Sequence, residues 1–212
     1  MSQPIKLAVL ISGNGTTLQN LIDHIQAGKL CAEIVVVISS KPGAYGLVRA
    51  QRHGIPTHVV PRKAFADLTR FNEAINQILH SYAPDLIVLA GFLSLFQPAE
   101  PYRGKVMNIH PALIPAFCGK GYYGRRVHQA VLDYGVKISG CTVHFIDEHY
   151  DSGPIILQSA VPVKDDDTVE TLAARVFQEE CKLYPRAIQL YAEGKLRVEG
   201  RRVKICEDDA DT

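Results

Sequence analysis

The chain has almost no charge to spare in either direction: 23 Lys and Arg face 22 Asp and Glu, a net charge of +1. A partner chosen by bulk electrostatics, nucleic acid above all, is therefore not expected. Long apolar runs are missing too. Ile34 to Ile38 and Leu86 to Ala90 are strand-length, far below the roughly 20 residues of a membrane span. No membrane association is expected. Met1 leads almost directly into the strand-like Lys6–Ile11, leaving no room for a charged region, apolar core and cleavage site, so the expected location is cytoplasmic. The cysteines, at positions 31, 118, 141, 181 and 206, form no Cys-x-x-Cys pair and have no histidine at a zinc-finger spacing. They are expected to be reduced fillers, with one exception. Cys118 lies in the loop of Phe117, Gly119, Lys120 and Gly121, where a neighbouring cation would make it modestly reactive. Repeats, low-complexity stretches and linkers are absent.

With 47% hydrophobic residues over 212 positions, the composition is that of an ordinary globular protein. Continuous β-branched runs recur at Leu7–Ile11, Ile34–Ser39, His58–Val60, Leu86–Ala90 and Val106–Ile109, each too apolar for a half-exposed strand. Helical stretches alternate with them at Thr16–Ala27, Tyr45–Arg52 (closed by Gly54) and Arg70–Tyr82. In the last of these Phe71, Ile75, Ile78, Leu79 and Tyr82 share a face. This alternation predicts an α/β fold: a Rossmann-like, doubly wound and mostly parallel sheet in the N-terminal half.

After Asn108 the pattern becomes α+β and antiparallel. A Pro- and Gly-rich loop precedes a helix near Val127–Leu132, long strands at Ile138–Ile146 and Ile155–Val163, and a helix from about Asp167. Asp167 and Glu170 are expected to form its capping box, Val169, Leu172, Val176 and Phe177 its buried stripe, and Pro185 to kink or split it. Leu196–Val198 and Arg202–Ile205 predict a terminal hairpin. Residues 1–206 are expected to be a single domain and 207–212 an acidic, frayed tail.

Four places can carry chemistry. Ile11-Ser-Gly-Asn-Gly-Thr-Thr-Leu-Gln19 feeds a strand through a glycine-containing turn into a helix N-terminus, where backbone N–H groups and the helix dipole suit an anion such as phosphate. A plain tight turn, with Gly13 and Gly15 supplying unusual backbone angles, is the competing reading. A dinucleotide is disfavoured, because Leu18 stands at the third glycine of Gly-x-Gly-x-x-Gly and no P-loop lysine follows. Next, Asn108 and His110 are spaced by two at the carboxyl end of a strand broken by Pro111. Ligands bind at such ends in doubly wound folds. The amide suits an oxyanion and the imidazole a proton, while a hydrogen-bonded pair fixing the turn is the alternative.

Third, Asp147, Glu148 and Asp151 follow an alternating strand. Without EF-hand spacing they are expected to bind no metal, and a carboxylate near His110 would favour the imidazolium. Last, Glu180 lies on the apolar stripe of its helix, where a carboxylate needs a partner.

Together Ile11–Gln19, Leu89-Ala-Gly-Phe92, Asn108-Ile-His-Pro-Ala-Leu-Ile-Pro115 and His144-Phe-Ile-Asp-Glu-His-Tyr-Asp-Ser-Gly-Pro154 resemble, in order and spacing, the folate-dependent formyltransferases, from about Lys6 to Ile205. The resemblance implies the formyltransferase fold and transfer of a formyl group from 10-formyltetrahydrofolate to the amine of glycinamide ribonucleotide, in purine biosynthesis. Neither a metal nor a covalent enzyme intermediate is implied. Asn108, His110 and Asp151 are implied as the catalytic trio, Gly15, Thr16 and Thr17 as the phosphate site, and Glu180 as the contact for the amino end. Leu93, Ser94, Leu95 and Phe96 with Asn108 and Asp147, Glu148, His149, Tyr150 and Asp151 are implied to surround the folate. His144 matches a position beside the catalytic histidine, with a core histidine as the alternative.

Two departures stand out. The family pattern has arginines within the Leu93–Phe96 segment and at Leu68, leaving Arg70 or Arg103 as candidates for the folate tail. The Phe117–Gly124 loop is longer and richer in glycine, with Lys120, Tyr122 and Tyr123 as candidates only.

The rival functions are a formyltetrahydrofolate deformylase, a methionyl-tRNA formyltransferase and a non-catalytic phosphate-ligand sensing module. Chain length argues against the first two and the intact trio against the third. The expected partners are small molecules only, and monomer and homodimer both stand.

Overall fold

The computed structural model describes residues 3–206, so the expected acidic tail lies outside the described residues. Contacts gather into two compact units, Met1–Asn108 and Ile109–Thr212. In the first, strands β1 (Ile5–Ile11), β2 (Ala32–Ser39), β3 (Thr57–Val59), β4 (Leu86–Leu89) and β5 (Val106–His110) alternate with helices α1 (Thr16–Gln26), α2 (Tyr45–Arg52) and α3 (Leu68–Tyr82). The strand order is β3-β2-β1-β4-β5 and every pairing is parallel. Helical crossovers on a parallel sheet cover its central strands, which explains their unbroken apolar runs. Leu7 to Ile11 and Leu86 to Val88 have no exposed surface. On α3 the face of Phe71, Ile75 and Leu79 is buried as the spacing predicts, and Asn72 is buried with it.

The second unit is α+β, as expected. Helix α4 (Arg125–Tyr134) precedes strands β6 (Ile138–Phe145) and β7 (Ile155–Pro162), which pair antiparallel. Helix α5 (Val169–Ala192) follows, then the antiparallel hairpin β8 (Leu196–Glu199) and β9 (Arg202–Ile205). Leu172 and Val176 of α5 pack with Val131, Cys141 and Val161 to form a core. No helix among the described residues is long and apolar enough to cross a membrane.

Two expectations for α5 are corrected. The capping box is Thr168 with Thr171 rather than Asp167 with Glu170. Arg175 claims Asp167, its guanidinium donating to both carboxylate oxygens at 2.7 Å, so the next residue takes over the cap. Nor does Pro185 split the helix, which runs unbroken from Val169 to Ala192. A proline costs one backbone hydrogen bond, and Tyr184, Pro185, Ala187, Ile188 and Leu190 offset it by being buried together.

Candidate active site

In the first unit, β1 hands over to α1 through Ser12–Gly15. Gly15 is the N-cap at φ 68°, and no side chain caps the helix. It also touches α2: a Cβ there would stand 2.6 Å from the Gly46 Cα. Glycine is thus needed at position 15 for two reasons. Gly13, in contrast, neither has a positive φ nor lacks space for a Cβ. The loop carbonyls are turned back into the protein, Gly13 O accepting from Gly46 N at 3.1 Å and Asn14 O from Arg49 Nε at 2.9 Å. The N–H groups of the first turn, at Thr16 and Thr17, are thus left without a side-chain cap.

The expected folate segment leaves the same sheet beyond β4. Leu93 is exposed, Ser94 and Leu95 half-buried, and Phe96 buried edge-to-face against Phe92. Asn108 is half-buried in β5, in register with Leu89. Arg70 and Arg103, the candidates for the folate tail, are exposed and already face carboxylates, Asp67 at 4.0 Å and Glu100 at 3.0 Å.

In the second unit the structure gathers His110, His144 and Asp151. His110 ends β5 and is 3% exposed. His144 lies where the β6–β7 register shifts by one residue, a bulge that re-aims a side chain. Asp151 follows in the loop between those strands at φ 52°. The loop returns close against β6 at Gly153, where a Cβ would collide with the Phe145 carbonyl oxygen.

One carboxylate therefore serves two imidazoles, His110 Nδ1 at 3.5 Å from Asp151 Oδ2 and His144 Nε2 at 3.8 Å from Oδ1. Each ring uses its other nitrogen on a backbone carbonyl, His110 Nε2 donating to Phe117 O at 2.9 Å and His144 Nδ1 to Phe145 O at 2.8 Å. A carbonyl can only accept, so these nitrogens carry protons. Any further proton lands on a nitrogen that faces Asp151. The Gly119 N–H donates to that carboxylate at 2.9 Å.

The electrostatics differ from the expectation in one respect. Burial holds the His110 pKa below its ordinary 6.5, outweighing the upward pull of Asp151 and the Phe117 carbonyl. The ring is therefore mainly neutral at pH 7, although the carboxylate acts in the expected direction. Asp151 is itself held below the ordinary carboxylate range, since bonds from His144 and Gly119 and the field of His110 together exceed the opposing effect of burial. Cys118 is also corrected. Burial and the Asp151 charge push its thiol up, and Sγ donates to Pro115 O at 3.2 Å, so it is no activated nucleophile.

Of the remaining expected residues, Asp147 closes a turn by accepting from His149 N at 2.9 Å, and Glu148, His149 and Tyr150 are exposed. Glu180 is half-buried on α5, and burial pushes its carboxyl up to about 7. Three groups escaped the sequence reading: the Phe117 carbonyl, the Gly119 amide and His128. His128 is buried beside Val127 and Val131 on α4. Only its place next to an apolar i, i+4 pair signalled it.

Residues 5–188 match the sequence pattern of the family described as Formyl transferase. This chain belongs to that family. Among solved structures, this formyl transferase is similar to glycinamide ribonucleotide transformylase 1 from Symbiobacterium toebii, with a TM-score of 0.90 and 42% identity over 98% of this chain and 96% of the other. It is 43% identical to the phosphoribosylglycinamide formyltransferase of Haemophilus influenzae, over 91% of this chain and 90% of that protein. It is also 45% identical, over 95% of its length, to the trifunctional purine biosynthetic protein adenosine-3 of Gallus gallus. Of that longer protein it spans only 20%.

Proposed function

We propose that this formyl transferase carries the formyl group of 10-formyltetrahydrofolate to the amino group of glycinamide ribonucleotide, a step of purine biosynthesis. The observation that carries the reading is the pair of buried His110 with half-buried Asp151, the proton of His110 Nε2 being given to an oxygen acceptor, Phe117 O at 2.9 Å. A donor that serves a carbonyl oxygen at rest suits a formyl oxygen gaining negative charge.

The bound folate supplies an electrophilic formyl carbon, and the chain supplies everything around it. His110 Nε2–H, released by the Phe117 carbonyl, and the Asn108 amide donate to the formyl oxygen as the substrate amine attacks. Asp151 stabilises positive charge on the imidazole from its Nδ1 side and carries a proton from the attacking amine towards the departing folate nitrogen. Leu93–Phe96 in the first unit is a wall for the folate, and Asp147–Asp151 in the second unit is assigned to the same ligand. The amides of Gly15, Thr16 and Thr17 bind the ribonucleotide phosphate.

Purified protein should release tetrahydrofolate only when glycinamide ribonucleotide is added, followed by absorbance of the folate product. Equal turnover with water alone would replace this reading by a deformylase.

Glu180 binds the amino end of the ribonucleotide. Among the described residues no cation or donor neutralises its carboxyl, which titrates at about 7. Its charged form grows as pH rises through 7, so ribonucleotide affinity should rise between about pH 6 and 8. Glu180→Gln should raise the ribonucleotide KM about tenfold at pH 8 and flatten that rise, leaving the folate KM alone. A KM unchanged at both pH values would make Glu180 structural.

A further inference from the structure

Beyond Phe92 the chain runs without regular secondary structure to a short 3-10 turn at Glu100–Tyr102. Three side chains hold its backbone. The Leu93 N–H donates to Ser12 Oγ at 3.0 Å. Asn72 Nδ2 donates to Leu95 O at 3.4 Å, while Asn72 Oδ1 accepts from Gln97 N at 3.2 Å. One helical turn further along α3, Asn76 Nδ2 donates to Gln97 O at 3.0 Å and Asn76 Oδ1 accepts from Ala99 N at 2.9 Å. The anchored residues are thus 93, 95, 97 and 99, the alternation of an extended chain, in which successive backbone groups point to opposite sides. Two amides on a helix stand in for a strand edge.

The polar groups of Ser94 and Phe96 belong to the other parity, and among the described residues they bond to no protein group. They are left for a ligand. Phe96 packs against Phe92, but beyond it a cavity of about 680 Å³ opens between α3 and Gln97–Tyr102, so packing does not hold the far end of the segment. Asn72 is only 3% exposed and sits within the apolar face of α3. An amide so placed carries a desolvation cost that its two bonds must offset, so these bonds are the reason for an asparagine there.

We propose that Asn72 and Asn76 are positioning residues that set the register of the Leu93–Gln97 segment and thereby present the Ser94 and Phe96 backbone to the folate co-substrate. The proposal rests on the reading of Leu93–Phe96 as a folate wall.

The test pairs kinetics with amide hydrogen exchange on Asn72→Ala and on Asn76→Ala, the latter half-buried and expected to fold if the former does not. The expected result is faster exchange at Gln97 and Ala99, a folate KM raised about tenfold, and kcat and the ribonucleotide KM within about threefold of the parent. A folded variant whose folate KM is unchanged, or in which both KM values rise together, overturns the proposal. In the unmodified protein, 10-formyltetrahydrofolate should slow exchange at Ser94 and Phe96. Failure to do so removes the folate wall and the proposal with it, whereas slowing combined with an unchanged KM in the variants removes the clamp alone.

Discussion

Asp151→Asn is expected to lower kcat by about 10²- to 10⁴-fold while leaving the fold intact. The asparagine is isosteric, and its carbonyl can still accept from Gly119 N, now 2.9 Å from the carboxylate. Its NH₂, standing where Oδ1 is, can donate to the lone pair of His144 Nε2, 3.8 Å from that oxygen, while His110 Nδ1 keeps facing the oxygen that accepts from Gly119. The variant therefore satisfies the resting site at least as well as the parent. What it loses is the negative charge that stabilises a proton on Nδ1, and the basicity to take up a proton itself. Asp151 is the charge that raises the His110 pKa against burial. Without it the midpoint of His110, already below the ordinary 6.5, moves further down. Imidazole titration by NMR should show that displacement alongside the loss of turnover, with an unfolding midpoint close to that of the parent. A kcat within threefold of the parent would remove Asp151 from the chemistry.

The parts of this site differ in how far the sequence exposed them. The strand that delivers His110 was legible because a parallel strand covered on both faces must be apolar throughout, and Pro111 marks its end. The loop into α1 was legible as a junction, but not which glycine it needs. Gly15 is required by the approach of Gly46 from α2, a contact that local sequence does not contain. Whether Asp151 meets His110 depends on the β6–β7 connection, its register shift at His144 and the close return at Gly153. All three are tertiary facts.

The protonation state of His110 was not legible for a related reason. The sequence shows a neighbouring charge, but the depth of burial that outweighs it appears only in the folded chain. Phe117 O and Gly119 N are backbone atoms and leave no side-chain signature. Asp167 and Thr168 are both good caps, and Arg175, two turns further on, decided between them.

Lowering the pH from about 7.5 to 4.5 should cost the parent about 2–3 kcal/mol of folding stability through His128 alone. His128 is 4% exposed, and among the described residues its Nδ1 has no hydrogen-bond partner. Burial, with a smaller contribution from the charge of His110, lowers its pKa from 6.5 to about 4. The unfolded chain takes up a proton at this ring near pH 6.5, whereas the native state resists until about pH 4. The stabilising effect of keeping the ring neutral is complete above the unfolded value. It is lost progressively as pH falls from 6.5 to about 4, below which this group has no further effect. His110 is depressed in the same direction, so both rings act together. His128→Leu replaces an orphaned polar atom by a side chain of similar reach and removes the titration. In urea unfolding the variant should therefore gain on the parent as pH falls, with the gap widening by about 2–3 kcal/mol between pH 7.5 and 4.5. Other acid-sensitive groups are common to both proteins and cancel in the comparison. A gap that stays constant across that range would mean that His128 titrates alike in the folded and unfolded chains, and that its burial does not keep it neutral.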